Sequence, residues 1–148
     1  MNYLKYIPIA ALALIACGTA TNAVAQDKPD VNIIAQTTMR IVVPDGSEEK
    51  AMWDMMHEYY DKVYAKSTIL KHITIYRHRY GSEGRTMVVN LEFATWADIE
   101  KFDDEREALE NAGWPDEAKR KAFMKKLGSF QDPYHRDEIY SISNTMRK

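Results

Sequence analysis

Histidine, tyrosine and arginine crowd one short arm of the chain, His72 to Phe93, "HITIYRHRYGSEGRTMVVNLEF", which holds two His, three Arg and two Tyr. Imidazoles and phenols set side by side suit general acid–base work, because each can pass a proton to or from a bound molecule. A second group of the same types, Trp53, His57, Tyr60 and Tyr64, recurs at i, i+4, i+7 and i+11, the spacing of one helix face. If the two groups face each other, Trp53, His57, Tyr60, Tyr76, His78 and Met87 wall a pocket for a small apolar or aromatic molecule. His57 and His78 are then the candidate catalytic bases. The competing reading makes the same residues amphipathic edges of a core, since Tyr and His are ordinarily intermediate in burial.

Other chemistries find less material. His72 and His78 lie ~20 Å apart on one strand at ~3.3 Å per residue, too far to share an ion. His57 and Asp61 have the i, i+4 spacing that can hold zinc, but no HExxH or dense His/carboxylate set accompanies them, so no metal site is expected. Met52, Met55, Met56 and Met124 read as adaptable core filler rather than copper ligands. There is no Gly-x-Ser-x-Gly elbow and no Gly-rich phosphate loop.

The elements that must position these residues are legible in the changing hydrophobic period. "TTMRIVV", Thr37 to Val43, is β-branched and stopped by Pro44, and reads as a strand. Asp45 with Glu48, or Ser47, offers a cap for a helix over about 47–66, whose apolar stripe is Met52, Met55, Met56, Tyr59 and Val63. The His72–Phe93 arm then forms a hairpin around Gly81 and Gly84. If those glycines pair, His78 faces Met87, Tyr76 faces Val89, Thr74 faces Leu91 and His72 faces Phe93, all on the pocket side. Ile73, Ile75 and Val88 fall on the opposite side, and a slip of one residue would exchange the faces. Thr95 with Asp98 caps a second helix, in which Trp96, Ile99, Phe102, Arg106 and Leu109 share a stripe to about Asn111. Gly113-Trp114-Pro115 breaks it, and a shorter helix follows from Glu117 to Leu127. The dense charge of these helices reads as a solvated face laced by i, i+4 pairs such as Glu117/Lys121. "SFQDPYHRD" reads as a loop and Ile139 to Thr145 as the last strand.

The order β-α-β-β-α-α-β is an α+β, ferredoxin-like split βαβ arrangement: a four-stranded antiparallel sheet with helices on one face. With the link "LEFATWADIEKF" entering the second helix, residues 37–146 resemble the dimeric α+β barrel superfamily. That superfamily includes antibiotic-biosynthesis-type monooxygenases, haem-degrading monooxygenases and small stress-responsive barrel proteins. The resemblance implies a homodimer whose two sheets pack face to face into a barrel, with a pocket in each subunit between sheet and helices. The haem-degrading members use an Asn-Trp-His set with the Asn on the first strand. "TTMRIVV" has no Asn, so that carry-over fails, and no cofactor is expected.

The N-terminal 25 residues stand apart. Lys5, the uncharged run Ile7–Ala16 and the small-x-small site Ala23-Val24-Ala25 describe a secretory signal peptide, with cleavage before Gln26. Leu14-Ile15-Ala16-Cys17 resembles a lipobox, and that alternative would make Cys17 a lipid-bearing terminus, the one way this chain would meet a membrane. Either reading exports the protein, to the periplasm or beyond. Setting aside Lys5 leaves 19 Lys and Arg against 22 Asp and Glu, a balance that argues against nucleic acid. Cys17 is the sole cysteine, so disulfides, thiolate sites and a cysteine nucleophile in the mature domain are excluded. Residues 26–36 are expected to be a flexible lead-in, and residues 37–148 one domain. The sequence thus points to an exported small-molecule-binding α+β barrel protein. The alternative is a cofactor-independent monooxygenase or isomerase acting on a small aromatic substrate.

Overall fold

The computed structural model describes residues 31–82 and 84–147. Four strands and three α-helices follow one another as β1 (Val31–Ile41), α1 (Glu49–Lys62), β2 (His72–Arg77), β3 (Thr86–Phe93), α2 (Ala97–Gly113), α3 (Glu117–Gly128) and β4 (Gln131–Ser143). A 3-10 turn, Tyr64–Lys66, prolongs α1. The sheet runs β2-β3-β1-β4 with every neighbouring pair antiparallel, and the helices cover one of its faces. This is the ferredoxin-like α+β fold, in which β1 and β2 are split by β3. The expected signal peptide, its cleavage site and Cys17 lie outside the described residues.

The core sits between α1, α3 and the covered face of the sheet. Met52, Met56, Tyr59 and Val63 are the buried members of the α1 stripe, and they meet Ile41, Met87, Val89, Trp114, Leu127 and Phe130. Alternation does the sorting in β3, where Met87, Val89 and Phe93 are buried against the helices. Helix starts differ from one another in chemistry. Asp98 accepts hydrogen bonds from the Thr95 amide (3.1 Å) and hydroxyl (2.8 Å), and the Asp116 carboxylate accepts from the Lys119 amide (3.1 Å). At α1 the expected box does not form: Glu48 is the cap residue and makes no side-chain cap bond. Ser47 instead accepts a hydrogen bond from Lys126 (2.8 Å), tying the start of α1 to the end of α3.

Three expectations are corrected. First, β1 begins at Val31, so residues 31–36 are strand rather than flexible lead-in; all of them pair with β4, and those from Ile33 on pair with β3 as well, which satisfies a backbone that no local signal marked. Second, β4 begins at Gln131 and absorbs most of the expected loop. It is an edge strand with a register irregularity opposite Met39–Ile41, and such a position tolerates Pro133, which has no N–H to donate. Third, the hairpin register is shifted by one residue: His72 pairs with Glu92, Ile73 with Leu91, Tyr76 with Val88 and Arg77 with Met87. The turn is wider than Gly81–Gly84. Gly81 (φ +135°) and Arg85 (φ 59°) carry the positive φ values, and the Arg85 carbonyl accepts a hydrogen bond from the Ile41 amide (2.6 Å). The Ile41–Arg85 bond continues the β1–β3 register, in which Arg40 pairs with Thr86, and the wide turn returns β3 one residue off the register that paired glycines would give. In consequence Ile73 and Ile75 face the helices, while His72, Thr74 and Tyr76 face the open side with Val88.

Candidate functional site

Among the described residues, two concavities between sheet and helices bear on the candidate residues. The first is a central cavity of about 470 Å³ between β1, β3 and α2, floored by Ala35, Met39, Val89 and Leu91 and roofed by Ile99 and Phe102. Its polar groups are Thr37, Tyr64, Asp103, Arg106 and Asp137. Each is placed by its element. Tyr64 sits in the 3-10 turn, wedged edge-on to Tyr59 (5.0 Å between ring centroids) and stacked near Phe102 (6.4 Å). Arg106 and Asp103 share one face of α2 and are joined at 3.0 Å. Thr37 on β1 donates to the Asp137 carboxylate of β4 (2.7 Å), whose other oxygen lies 3.0 Å from His135 Nε2.

The electrostatics single out Tyr64. Burial pushes its phenol up to about 12, with Arg106 pulling the other way and Glu110 adding to the rise. A phenol is protonated at neutral pH with or without that rise; the Tyr64 hydroxyl has no hydrogen-bond partner among the described residues and, since no buried side-chain oxygen there is left unpaired, it reaches solvent. Tyr59 differs. Burial raises its phenol further, but its hydroxyl donates to Glu110 at 2.6 Å, and its ring stacks on Trp114. Tyr59 is a structural phenol, and Tyr64 is one with a donor to offer.

The second concavity is an edge slot of about 320 Å³ between α1 and β2, lined by Trp53, Met56, His57, Tyr60, Ile73 and Ile75. Of the six candidate ligand residues, the fold thus brings together Trp53, His57 and Tyr60. Tyr76 stands on the open face, in a recess with His72, Glu92 and Arg147. His78 follows the end of β2, its amide donating to Thr86 (2.9 Å) and its ring packed so close to Gly81 that a Cβ there would meet Nε2 at 3.2 Å. Met87 is fully buried in the core rather than lining either concavity. The two candidate bases, His57 and His78, share no cavity. The one-residue register shift explains Tyr76 and His78, because each residue of slip sends a side chain to the opposite face.

Of the central cavity's polar set only Tyr64 stands in the aromatic stripe read from the sequence; the rest is unexpected, although one signal is present. Arg106 sits in the α2 stripe between Phe102 and Leu109, and a charge on an apolar helix face needs a partner or a cavity there. Thr37 and Asp137 could not be paired from sequence, because the segment containing Asp137 reads as loop.

The architecture is that of ferredoxin-like α+β proteins, and solved structures share it. A dimeric ferredoxin-like protein from an uncultured marine organism covers 82% of this chain and 96% of its own, with 11% identity and a TM-score of 0.51. SnoaB, a cofactor-independent oxygenase from Streptomyces nogalater, matches over 79% of this chain and 98% of its own at 6% identity and a TM-score of 0.51. A protein described as an antibiotic biosynthesis monooxygenase, from Caulobacter crescentus, matches over 78% and 92% at 13% identity, with a TM-score of 0.50. At these identities the likeness is one of fold. No family model matches the chain, and no curated protein matches its sequence.

Proposed function

We propose that this is an exported protein that binds a small, largely apolar or aromatic molecule between its sheet and its helices, in the central cavity. One observation carries the reading: the Tyr64 hydroxyl, without a partner among the described residues, belongs to the lining of a cavity of about 470 Å³ whose floor and roof are apolar. An apolar enclosure with a few convergent polar groups is the usual form of a small-molecule site, and this volume lies within the usual range of about 300–1,000 Å³. Tyr64 and Arg106 supply donors for a carbonyl or phenolic oxygen. Export rests on residues 1–25, with lipidation at Cys17 as the other route. A second copy covers the open face of the sheet in this reading, as the description of the dimeric marine protein suggests.

The test is a thermal-shift screen of aromatic ketones and phenols, followed by titration of a hit against Tyr64→Phe. Deleting one hydroxyl from the lining should weaken a ligand that accepts from it by about 1–3 kcal/mol. Unaltered affinity, or a hit located crystallographically outside this cavity, would remove the reading.

A second reading is cofactor-independent oxygenation of such a molecule, the activity named for SnoaB, or its isomerisation. It is favoured by Asp137, a carboxylate at the cavity wall backed by His135 and fixed by Thr37, which can accept a proton from a bound phenol or activated C–H. His57 remains a base only for a molecule held in the edge slot. Oxygen uptake or product formation that requires the aromatic compound and disappears in Asp137→Asn supports chemistry; turnover equal to the buffer rate leaves binding alone.

A further inference from the structure

The edge slot does not end at Trp53 and His57. Those two side chains also line a polar recess whose other walls are Glu49, Lys50 and Arg77. Polarity is therefore sorted along a single path: Ile73, Ile75, Met56 and Tyr60 at one end, charged groups at the other. None of these residues lines the central cavity.

The charged end has donors in excess. Glu49 Oε1 already accepts from Trp53 Nε1 (3.1 Å) and from Arg77 Nη2 (2.7 Å). A guanidinium carries five N–H donors in a planar fork, and this one is held over the Trp53 ring, 5.3 Å from its centroid. Lys50 is fixed by Asp54 one helical turn away (2.5 Å). Lys50 and Arg77 are thus each paired with one carboxylate, and what the recess still offers, beside the His57 imidazole, is the remaining N–H donors of the Arg77 fork. Trp53 belongs to both halves: its indole N–H anchors Glu49, Glu49 orients Arg77, and its ring walls the slot. Such an arrangement fits an anion attached to an apolar body better than a neutral apolar molecule, because the fork matches carboxylate geometry.

We infer that slot and recess form one site, distinct from the central cavity, for a small aromatic carboxylate: ring between α1 and β2, carboxylate on Arg77. The slot's volume of about 320 Å³ admits a body of one or two fused rings.

Calorimetric titration of the purified protein with 2-naphthoate and with its neutral counterpart 2-naphthamide tests this, with the Trp53 indole N–H resonance followed by NMR to report location. The carboxylate is expected to bind about tenfold or more tightly than the amide, to shift the Trp53 resonance, and to weaken as salt is raised. Arg77→Gln should erase the preference, so that carboxylate and amide bind the variant equally, and Arg77→Lys should restore part of it, since a point charge replaces the fork. Equal binding of the two probes, or a preference that survives Arg77→Gln, overturns the assignment of the anion to Arg77. Binding of neither probe, or binding without movement of the Trp53 resonance, overturns the site. Either failure leaves the central-cavity reading untouched, because Tyr64→Phe probes a separate lining.

Discussion

The two faces of the sheet are made by the same strands, yet one is a packed core and the other a hydrogen-bonded network. On the covered face Met87, Val89 and Phe93 are buried against α1, α2 and their neighbours. On the open face, alternate positions of the same strands carry amides and charges: Gln36 donates to Asn90 (2.9 Å), and Glu92 accepts from Asn32 (2.5 Å) and Arg147 (2.5 Å). Apolar side chains are interleaved with them, including Ile34 and Ile142, and Tyr76 and Tyr140 stand exposed. Around Met87 the covered face is held chiefly by burial and tolerates volume changes poorly, its directional bonds, such as Thr37 to Asp137, lying toward β4. The open face is held by directional bonds, so a second sheet laid on it would meet a polar, partly networked surface. The helices have settled the first face; the second is where a partner copy would make its difference.

Neighbouring residues of β3 can test that contrast. Met87→Ala should cost about 2–5 kcal/mol in urea denaturation, through lost transfer energy and the cavity left behind. Val88→Ala, one residue on and facing the other way, should cost less than about 1 kcal/mol in dilute protein. Equal losses would mean that the open face is as well packed as the covered one.

A second copy would blur the difference in a concentration-dependent way. If it covers the open face, a hundredfold rise in protein concentration should add up to about 2–3 kcal/mol of apparent stability and raise the melting temperature. An unchanged melt from micromolar to submillimolar protein would withdraw the dimer.

Glu92 probes the network itself. Its side chain is buried, and burial alone would raise its carboxyl; the hydrogen bonds from Arg147 and Asn32 outweigh that and hold it below the usual glutamate range. A carboxyl lowered in the folded state contributes stability that is complete above its unfolded value, about pH 4.3, and is lost as pH falls through the folded value. Glu92→Gln should therefore cost about 1–3 kcal/mol at neutral pH. The gap between wild type and variant should close below about pH 4. A gap that persists undiminished in acid would place the loss in packing and not in the charge.

The smallest effect is expected at Tyr76, on the edge strand β2 and about half exposed. Tyr76→Thr should alter stability by no more than about 0.5 kcal/mol in dilute solution, since both residues suit a strand and the ring buries little. A larger loss at high concentration alone would mark Tyr76 as a contact of the second copy.

Much of the architecture could be read before any coordinates. The stripe Met52, Met56, Tyr59 and Val63 identifies α1 by period, Thr95/Asp98 marks the start of α2, and Gly113-Trp114-Pro115 separates α2 from α3; each signal lies within a few residues of what it specifies. The helical half of the edge slot was legible for the same reason, since Trp53, His57 and Tyr60 are neighbours on one helix face. Its strand half was not. Whether Tyr76 or Ile75 faces α1 turns on a single residue of register, and the turn that decides it is wider than the two glycines suggest, with positive φ at Gly81 and at Arg85.

The sequence by itself determined the order of elements, the ferredoxin-like fold class and the single cysteine, because periodicity, caps and breakers are local and composition is fixed. Only the tertiary structure decided which face each residue of β2 presents, that Gln131–Glu138 is a strand, and that Tyr64, Arg106 and Asp137 share a cavity. Strand pairing is the reason: an edge strand containing Pro133 and five charged or imidazole side chains has no intrinsic call to extend, and does so because β1 supplies the backbone partners that its own sequence cannot.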